Sequence, residues 1–168
     1  MKAIKNIQAA FAAVLLVVSS ATFADFTGPV VAIVDGDTLD VLVDSRPVRV
    51  RLAQIDAPER TQPYGTRSRQ ALSSLVFRKT VTVVEAGPDR YGRILGTVYL
   101  PGSLPGVIDA GFINVNGLMV GEGMAWAYRQ YVTDPSLIQL EAKARAAQRG
   151  LWADPAPVEP WLFRRGNK

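Results

Sequence analysis

The sequence predicts an α+β fold in which a small β-barrel of five strands is accompanied by about three helices. Short segments rich in valine and isoleucine alternate with turn signals in the first half of the chain, a pattern typical of small antiparallel sheets. Apolar residues at helical spacings follow the third of these segments and again the fifth. The 168 residues include no cysteine, so the core has to form without disulfides.

Three strands open the predicted barrel. Gly28–Val34 and Thr38–Val43 are rich in β-branched and aliphatic residues and are separated by an Asp-Gly turn signal. After a second turn, Val48–Ile55 alternates apolar and polar residues. This period of two places Arg49 and Arg51 on the face opposite the apolar side chains. The three segments together predict an antiparallel meander.

The remaining elements mix the two kinds of structure. They are a helix at Gly65–Phe77, strands at Val81–Glu85 and Ile94–Leu100, and helices at Asn114–Gly121 and Pro135–Arg149. We expect Asp134 to cap the last helix and Gly150 to end it. Pro101–Gly111, rich in proline and glycine, is expected to be a loop. Five short strands with a helix after the third is the order of an OB-fold barrel.

Both ends of the chain lie outside the predicted domain, which spans residues 25–152. Residues 1–24 begin with two lysines, continue with the apolar run Ala9–Val18 and end in small residues, as a secretory signal peptide does. The apolar run is too short to span a bilayer. We expect cleavage after Ala24 and a periplasmic or secreted protein without stable membrane association. The proline-rich tail, residues 153–168, is expected to be extended.

Basic residues are concentrated in the barrel part of the chain. Removing the predicted signal peptide leaves 17 basic and 15 acidic residues, a net charge of only +2. Between Ser45 and Arg93, however, nine arginines and one lysine face four acids. A guanidinium group is suited to phosphate, and a basic stretch is typical of proteins that bind polyanions. The same stretch could also be an ordinary solvated surface.

The absence of histidine and cysteine excludes several kinds of active site. Zinc sites normally use these residues as ligands, and Ser-His-Asp and Cys-His catalytic systems require them. The chain also has neither a Walker loop nor a dinucleotide-binding fingerprint. Oxygen ligands remain, and these favour Ca²⁺, Mg²⁺ or Mn²⁺. Any general base would have to be a carboxylate.

Three short motifs supply carboxylates and arginines at the ends of predicted strands. They are Val-Asp-Gly-Asp-Thr at Val34–Thr38, Asp-Ala-Pro-Glu at Asp56–Glu59 and Tyr-Gly-Arg at Tyr91–Arg93. Each motif alone could be no more than a turn, and Arg51 could be a surface residue of its strand. Their joint occurrence, in this order and context, favours a site for a hard metal ion and a phosphate.

This combination of motifs resembles the staphylococcal nuclease (thermonuclease-like) family. The matching segments are Val34–Thr38, Arg51–Glu59, Asp89–Arg93, Asn116–Ala125 and Gly150–Trp152. The likeness extends over roughly Val30–Trp152, which is most of the expected mature chain, and three motifs in the correct order are a specific signal. The resemblance implies an OB-fold nuclease that uses one Ca²⁺ ion. Such an enzyme cleaves DNA and RNA with little sequence preference and leaves 3′-phosphate ends.

The resemblance also implies a role for the carboxylates of the motifs. Asp37 and Asp56 would be metal ligands, together with the main-chain carbonyl of Ala57. Asp35 would support these ligands from behind. Glu59 would be the general base that orients or deprotonates the attacking water.

Two arginines and two tyrosines fall at positions where the family contacts its substrate. Arg51 and Arg93 would hold the phosphate and complete the catalytic set with Glu59. Tyr91 would contact the nucleotide. Tyr131 matches a tyrosine beside the base pocket better than Tyr128 does. The resemblance implies DNA and RNA as substrates, and we expect the protein to be a monomer.

Two other functions are compatible with the fold. A non-catalytic OB domain could bind single-stranded nucleic acid or an oligosaccharide through its barrel face. A structural envelope protein could retain an idle site. The simultaneous presence of Asp37, Asp56, Glu59, Arg51 and Arg93 favours the nuclease, because a pure binding protein does not need all five.

Overall fold

The computed structural model describes residues 25–102 and 111–166 and contains eight strands within them. The strands are β1 (Phe26–Ile33), β2 (Thr38–Val43), β3 (Arg46–Leu52), β4 (Ile55–Asp56), β5 (Thr80–Pro88), β6 (Ile94–Pro101), β7 (Phe112–Asn114) and β8 (Trp126–Ala127). The predicted signal peptide and most of the predicted Pro101–Gly111 loop lie outside the described residues.

Five of the strands close into a barrel. β1, β2 and β3 form an antiparallel meander, and β5 and β6 continue the sheet on the other side of β1. A parallel pairing of β3 with β6 completes the circle, with Val50 opposite Ile94 and Arg51 opposite Leu95. β7 extends the sheet beside β6, and β4 pairs separately with β8. The prediction of a five-stranded OB-fold barrel with accompanying helices, an α+β fold, is therefore confirmed.

The described residues contain four α-helices and one 3₁₀ turn. These are α1 (Gly65–Val76), α2 (Val115–Gly121), α3 (Pro135–Ala146), the 3₁₀ turn Gly150–Ala153 and α4 (Pro160–Gly166). The Asp134 carboxylate accepts a hydrogen bond from the Ser136 N–H at 2.8 Å, which confirms it as the cap of α3. α3 ends at Ala146, before the predicted stop at Gly150. No helix in the described part of the chain is long and apolar enough to cross a bilayer.

The main core fills the barrel and extends to the first two helices. Inward-facing residues of the strands, such as Leu39, Val50 and Leu52, have almost no exposed surface. Leu72 of α1 and Met119 of α2 pack against them. The alternation of inward and outward side chains along each strand explains why the apolar pattern of the sequence found these elements.

The strand predicted at Val48–Ile55 ends earlier than expected. β3 stops at Leu52, and Gln54 adopts a left-handed backbone conformation with φ of 67°. The Gln54 side chain accepts hydrogen bonds from the N–H groups of Thr133 and Asp134, at 2.7 and 2.8 Å. This turn redirects the chain, so that β4 leaves the barrel and pairs with β8.

A second apolar cluster joins the C-terminal part of the chain to the barrel domain. Trp126 and Trp152 are buried, with ring centroids 4.3 Å apart in an edge-to-face arrangement. Trp161 of α4 packs on Trp126 at 5.8 Å. The extended conformation predicted for the tail is therefore wrong between Pro160 and Gly166. A proline at the first helical position and an apolar contact for the tryptophan explain the helix.

Candidate active site

Two buried carboxylates meet at one arginine. Asp37 precedes β2 and Asp56 ends β4, and their side chains are 6% and 1% exposed. The Arg51 guanidinium lies between them, with Nη1 2.8 Å from Asp37 Oδ2 and Nη2 2.7 Å from Asp56 Oδ1. The Arg51 side chain is only 13% exposed. Its pairing with the carboxylates keeps the Arg51 side chain buried instead of on an exposed strand face. Three of the predicted site residues, Asp37, Asp56 and Arg51, therefore lie together.

Two hydrogen bonds, in addition to the ion pair with Arg51, fix the Asp37 carboxylate. The Thr38 hydroxyl donates to Oδ1 at 3.0 Å, and the Ala57 N–H donates to Oδ2 at 2.9 Å. Asp35 shapes the turn, because its Oδ1 accepts the N–H of Asp37 at 3.0 Å. These contacts bring Asp35 and Ala57 beside the two carboxylates.

The turn before Asp37 lies so close to α1 that only glycine fits at position 36. A Cβ atom on Gly36 would lie 2.7 Å from the Cβ of Ser68 and 2.8 Å from that of Ala57. Contacts this short require the Asp35–Asp37 turn to move away from the helix.

We therefore expect Gly36→Ala to lower the free energy of unfolding by about 1–3 kcal/mol through overpacking. Urea unfolding followed by circular dichroism measures the change. Gly121→Ala is the control, because the added Cβ would lie at an ordinary 3.5 Å from Leu140 in the last turn of α2. The control should be neutral or stabilise by up to about 1 kcal/mol. An equal loss of stability in both variants would contradict the close approach.

Burial and like charge alter the protonation of the acids. Burial, followed by repulsion from Asp37, raises the pKa of Asp35 to about 6. Burial also raises the pKa of Asp56, although hydrogen bonds from Arg164 oppose the shift. Burial acts to lower the pKa of Arg51, but attraction by Asp37 and Asp56 outweighs it and the pKa is raised. Asp35 and Asp56 are therefore easier to protonate than ordinary aspartates, and positive charge nearby favours their ionised form.

Glu59 joins the cluster through a residue that the motifs did not indicate. Arg164 of α4 donates from Nη1 to Glu59 Oε1 at 2.7 Å and from Nη2 to Asp56 Oδ2 at 2.7 Å. A third contact runs from Nη1 to Asp56 Oδ1 at 3.2 Å. The Glu59 side chain is 39% exposed, so it can be reached from solvent.

Sequence reasoning missed Arg164 because it lies 105 residues after Glu59 and belongs to no motif. One signal was present in the sequence. Pro160 followed by Trp161 marks a possible helix start with an apolar anchor, and Arg164 lies one turn after Pro160.

Arg93 does not join the ion pairs of the acidic cluster. Arg93 directly precedes Ile94, which pairs with Val50 on β3. Its guanidinium pairs with Asp89 at 2.6 Å. Burial acts to raise the pKa of Asp89, but hydrogen bonds from the main chain and side chain of Arg93 outweigh it, and the pKa is lowered. Arg93 therefore faces a separate shallow groove, whose lining residues are Asp40, Pro47, Arg49, Tyr91, Gly92 and Arg93.

The two predicted substrate-binding tyrosines are both exposed. Tyr91 is 69% exposed and lies under the guanidinium groups of Arg90 and Arg93. Tyr131 is 59% exposed and packs edge-to-face on Tyr128 at 4.9 Å. Both rings are exposed enough for stacking, but they belong to different groups of residues. Tyr91 belongs to the Arg93 groove, and Tyr131 to the aromatic cluster that includes Trp161.

The donor set of the cluster consists of oxygen atoms. No group of three or more His, Cys, Asp or Glu side chains suited to a metal occurs within residues 25–102 and 111–166. The predicted ligand set needs only two carboxylates and a carbonyl, and the two carboxylates are held together by Arg51. Such a set fits a hard divalent ion that keeps several water ligands.

Comparison with known proteins agrees with the sequence motifs. The family model described as "Staphylococcal nuclease homologue" matches residues 49–154. Arg51, Asp56, Glu59 and Arg93 lie inside the matched segment, whereas Asp37 lies before it.

Several curated relatives match nearly the whole chain. A protein named "Micrococcal nuclease" from Shigella flexneri is 51% identical over 99% of this chain and 96% of its own length. "Protein ParB" from Escherichia coli is 52% identical over 95% of this chain and 90% of its own. An "Uncharacterized endonuclease" from Escherichia coli is 50% identical over 84% and 86%. The chain therefore belongs to the staphylococcal nuclease family and is a nuclease.

Proposed function

We propose that the protein is a Ca²⁺-dependent endonuclease that hydrolyses phosphodiester bonds of DNA and RNA with little sequence preference. The observation that carries this proposal is the convergence of Asp37, Asp56 and Arg51, with Glu59 linked to the same group through Arg164. Buried carboxylates beside arginines are suited to a metal ion and a phosphate at once. A purely structural barrel would gain little from burying these charges.

Asp37, Asp56 and the carbonyl of Ala57 would hold the ion. When bound, the ion supplies positive charge that stabilises the extra negative charge on the phosphate in the transition state. The fixed hydrogen bonds to Asp37 support this role, because they leave its carboxylate little freedom to turn away. With only two carboxylate ligands, the affinity for Ca²⁺ in the absence of nucleotide should be modest.

Glu59 is proposed to accept the proton of the attacking water. The oxygen of that water would form a bond to phosphorus, and the bond between phosphorus and the 5′ oxygen would break. The phosphate would stay on the 3′ end, and the 5′ oxygen would take up a proton from solvent and leave as a hydroxyl group. Arg51 would hold the phosphate and offset its growing charge. Arg93 would do the same after exchanging Asp89 for the phosphate. Tyr91 and Tyr131 would contact the nucleotide by stacking.

The deciding experiment is digestion of double-stranded DNA, single-stranded DNA and RNA by the wild-type protein with Ca²⁺ and with a chelator. We expect cleavage with Ca²⁺ and none with the chelator. Glu59→Gln, which removes a base while keeping the shape, should lower the rate by on the order of 10²–10⁴. The control is Glu122→Gln, because Glu122 is exposed.

Binding of nucleic acid without cleavage under every condition would support the non-catalytic OB-fold alternative instead. Cleavage unaffected by both the chelator and Glu59→Gln would contradict the mechanism.

The products give an independent test of the direction of attack. We expect each new 3′ end to carry phosphate, so that a polymerase extends the fragments only after phosphatase treatment. Fragments cut by an enzyme that leaves 3′-hydroxyl ends serve as the control and should be extended without it. Direct extension of the products would contradict loss of the 5′ oxygen.

Export is proposed from the sequence of residues 1–24. Expression of the full chain in a Gram-negative host, followed by intact-mass spectrometry of the periplasmic and culture fractions, should show a protein beginning at Asp25. Retention of Met1 in the exported protein would contradict cleavage.

A further inference from the structure

We propose that Arg164 is a tethered counter-cation that competes with the divalent ion for the acidic cluster and thereby determines the affinity of the metal site. This inference rests on the proposed function, because it assumes that Asp56 is a metal ligand and Glu59 the base. It assigns a role to the C-terminal helix α4, to which the motifs give none.

The first support is the geometry of Arg164. Its two terminal nitrogens bind both oxygens of Asp56, at 3.2 and 2.7 Å, and one oxygen of Glu59 at 2.7 Å. Arg51 already occupies Asp56 Oδ1 from the other side at 2.7 Å. Both oxygens of the Asp56 carboxylate are thus engaged by guanidinium groups. These contacts use three of about four acceptor positions of the carboxylate, so an ion that takes Asp56 as a ligand would lie directly beside the guanidinium of Arg164.

The second support is the charge of the cluster. The acids that pair with Arg51 or Arg164, which are Asp37, Asp56 and Glu59, carry a formal charge of −3, and the two arginines carry +2, which leaves −1 for this set of ion pairs. Withdrawal of Arg164 makes the site more negative by one charge, which favours binding of a divalent ion. Two cations a few ångströms apart in a partly buried site repel each other. Arg164 and the ion should therefore exclude each other.

The third support is the way in which α4 is held. Trp161 stacks on Tyr128, with centroids 5.1 Å apart and planes 11° from parallel, and also packs on Trp126. The buried Pro160 and a hydrogen bond from the Gln62 side chain to the Val158 carbonyl complete the anchorage. The anchor positions Arg164 on the acids without covalent attachment.

α4 contributes little stability of its own to this anchorage. It has seven residues, and helices of this length are marginal by themselves. The Arg164 side chain is 39% exposed, so its ion pairs are partly screened by water. The ion pairs of Arg164 are therefore the part of the anchorage that binding of the ion can most easily replace.

The test is calorimetric titration of the metal-free protein with CaCl₂ at fixed pH and ionic strength. We expect Arg164→Gln to bind Ca²⁺ about five- to tenfold more tightly than wild type. The reason is that the substitution removes a charged, partly exposed hydrogen-bond donor that competes with the ion. Arg165→Gln is the matched control. It removes the same charge from the adjacent, exposed residue, and its affinity should be that of wild type.

Trp161→Ala is a second variant that does not alter the charge. It should weaken the anchorage of α4 and also tighten Ca²⁺ binding. Hydrogen exchange gives a readout independent of affinity. The N–H groups of Leu162 and Phe163, both bonded to the Glu159 carbonyl at 3.0 Å, should lose protection in the wild-type protein when Ca²⁺ saturates it.

Several outcomes would overturn the inference. Equal Ca²⁺ affinities of wild type and Arg164→Gln would do so, as would an equal gain in Arg165→Gln, which would indicate a long-range effect of charge. Weaker Ca²⁺ binding in Arg164→Gln would show that the arginine supports the site instead. Absence of Ca²⁺ binding in all variants would overturn both this inference and the proposal that Ca²⁺ is the cofactor.

DNA cleavage measured in parallel separates this inference from the proposed function. Ca²⁺-dependent cleavage with unchanged affinities would leave the nuclease standing and reject the role of Arg164. Tighter Ca²⁺ binding in Arg164→Gln, without cleavage by any variant, would support the role of Arg164 at a metal site and reject the nuclease mechanism.

Discussion

Arg51→Ala is expected to lower the free energy of unfolding of the metal-free protein by about 3–5 kcal/mol, the usual cost of breaking a buried ion pair from one side. The substitution leaves Asp37 and Asp56 buried beside each other without the guanidinium that bridges them at 2.8 and 2.7 Å. Urea unfolding in the presence of a chelator measures the loss. Added Ca²⁺ should restore part of it, because a divalent ion can replace the missing positive charge.

Arg49→Ala is the matched control for this prediction. Arg49 lies two residues earlier on β3 and also pairs with an aspartate, Asp40, at 2.8 Å, but its side chain is 53% exposed. Exposed pairs contribute about 0–1 kcal/mol. A similar loss for Arg49→Ala and Arg51→Ala would contradict the importance of burial. In the cleavage assay, Arg51→Ala should also lose on the order of 10²–10³ in rate, as expected for one electrostatic donor.

Asn116→Ala is expected to lower the free energy of unfolding by about 2–5 kcal/mol, because it leaves buried main-chain groups unpaired. The Asn116 Oδ1 accepts the N–H of Val98 at 3.0 Å, and Nδ2 donates to the carbonyls of Ala53 and Gly96 at 2.9 and 3.2 Å. The residue is 2% exposed, so water does not replace these bonds. The side chain ties α2 to β6 and to the turn after β3, and hence supports the segment that leads to Asp56.

Asn114→Ala provides the comparison for Asn116→Ala. Asn114 caps α2 by accepting the N–H of Gly117 at 2.9 Å, and removal of such a cap costs about 1 kcal/mol. Both variants can be measured by urea unfolding under identical conditions. A loss at Asn116 no larger than that at Asn114 would contradict the role of the buried network.

The fold was predictable where each element carries its own signal. The β-branched and aliphatic composition of β1 and β2, the period of two in β3, the helical spacing in α1 and the Asp134–Pro135 start of α3 depend only on neighbouring residues. Errors occurred where distant residues decide. Gln54 ends β3 early because its turn is fixed by Thr133 and Asp134, about 80 positions later.

The candidate site was predictable only in part. The motifs named Asp37, Asp56 and Arg51, which the structure brings together. They also named Arg93, but no sequence pattern specified that its guanidinium pairs with Asp89. The roles assigned to the site residues and the calcium ion stay predictions.

The sequence by itself determined the barrel, the family and the residues that carry oxygen and guanidinium chemistry, because these follow from local periodicity and from motifs of short spacing. Only the tertiary structure decided which charges meet. Arg51 is buried against two carboxylates instead of lying on an exposed strand face, and Arg164 pairs with Glu59 although the two are 105 positions apart in the sequence. The physical reason is that ion pairing depends on distance and burial in three dimensions. Those quantities are set by packing, here by the tryptophan cluster that docks α4 on the domain.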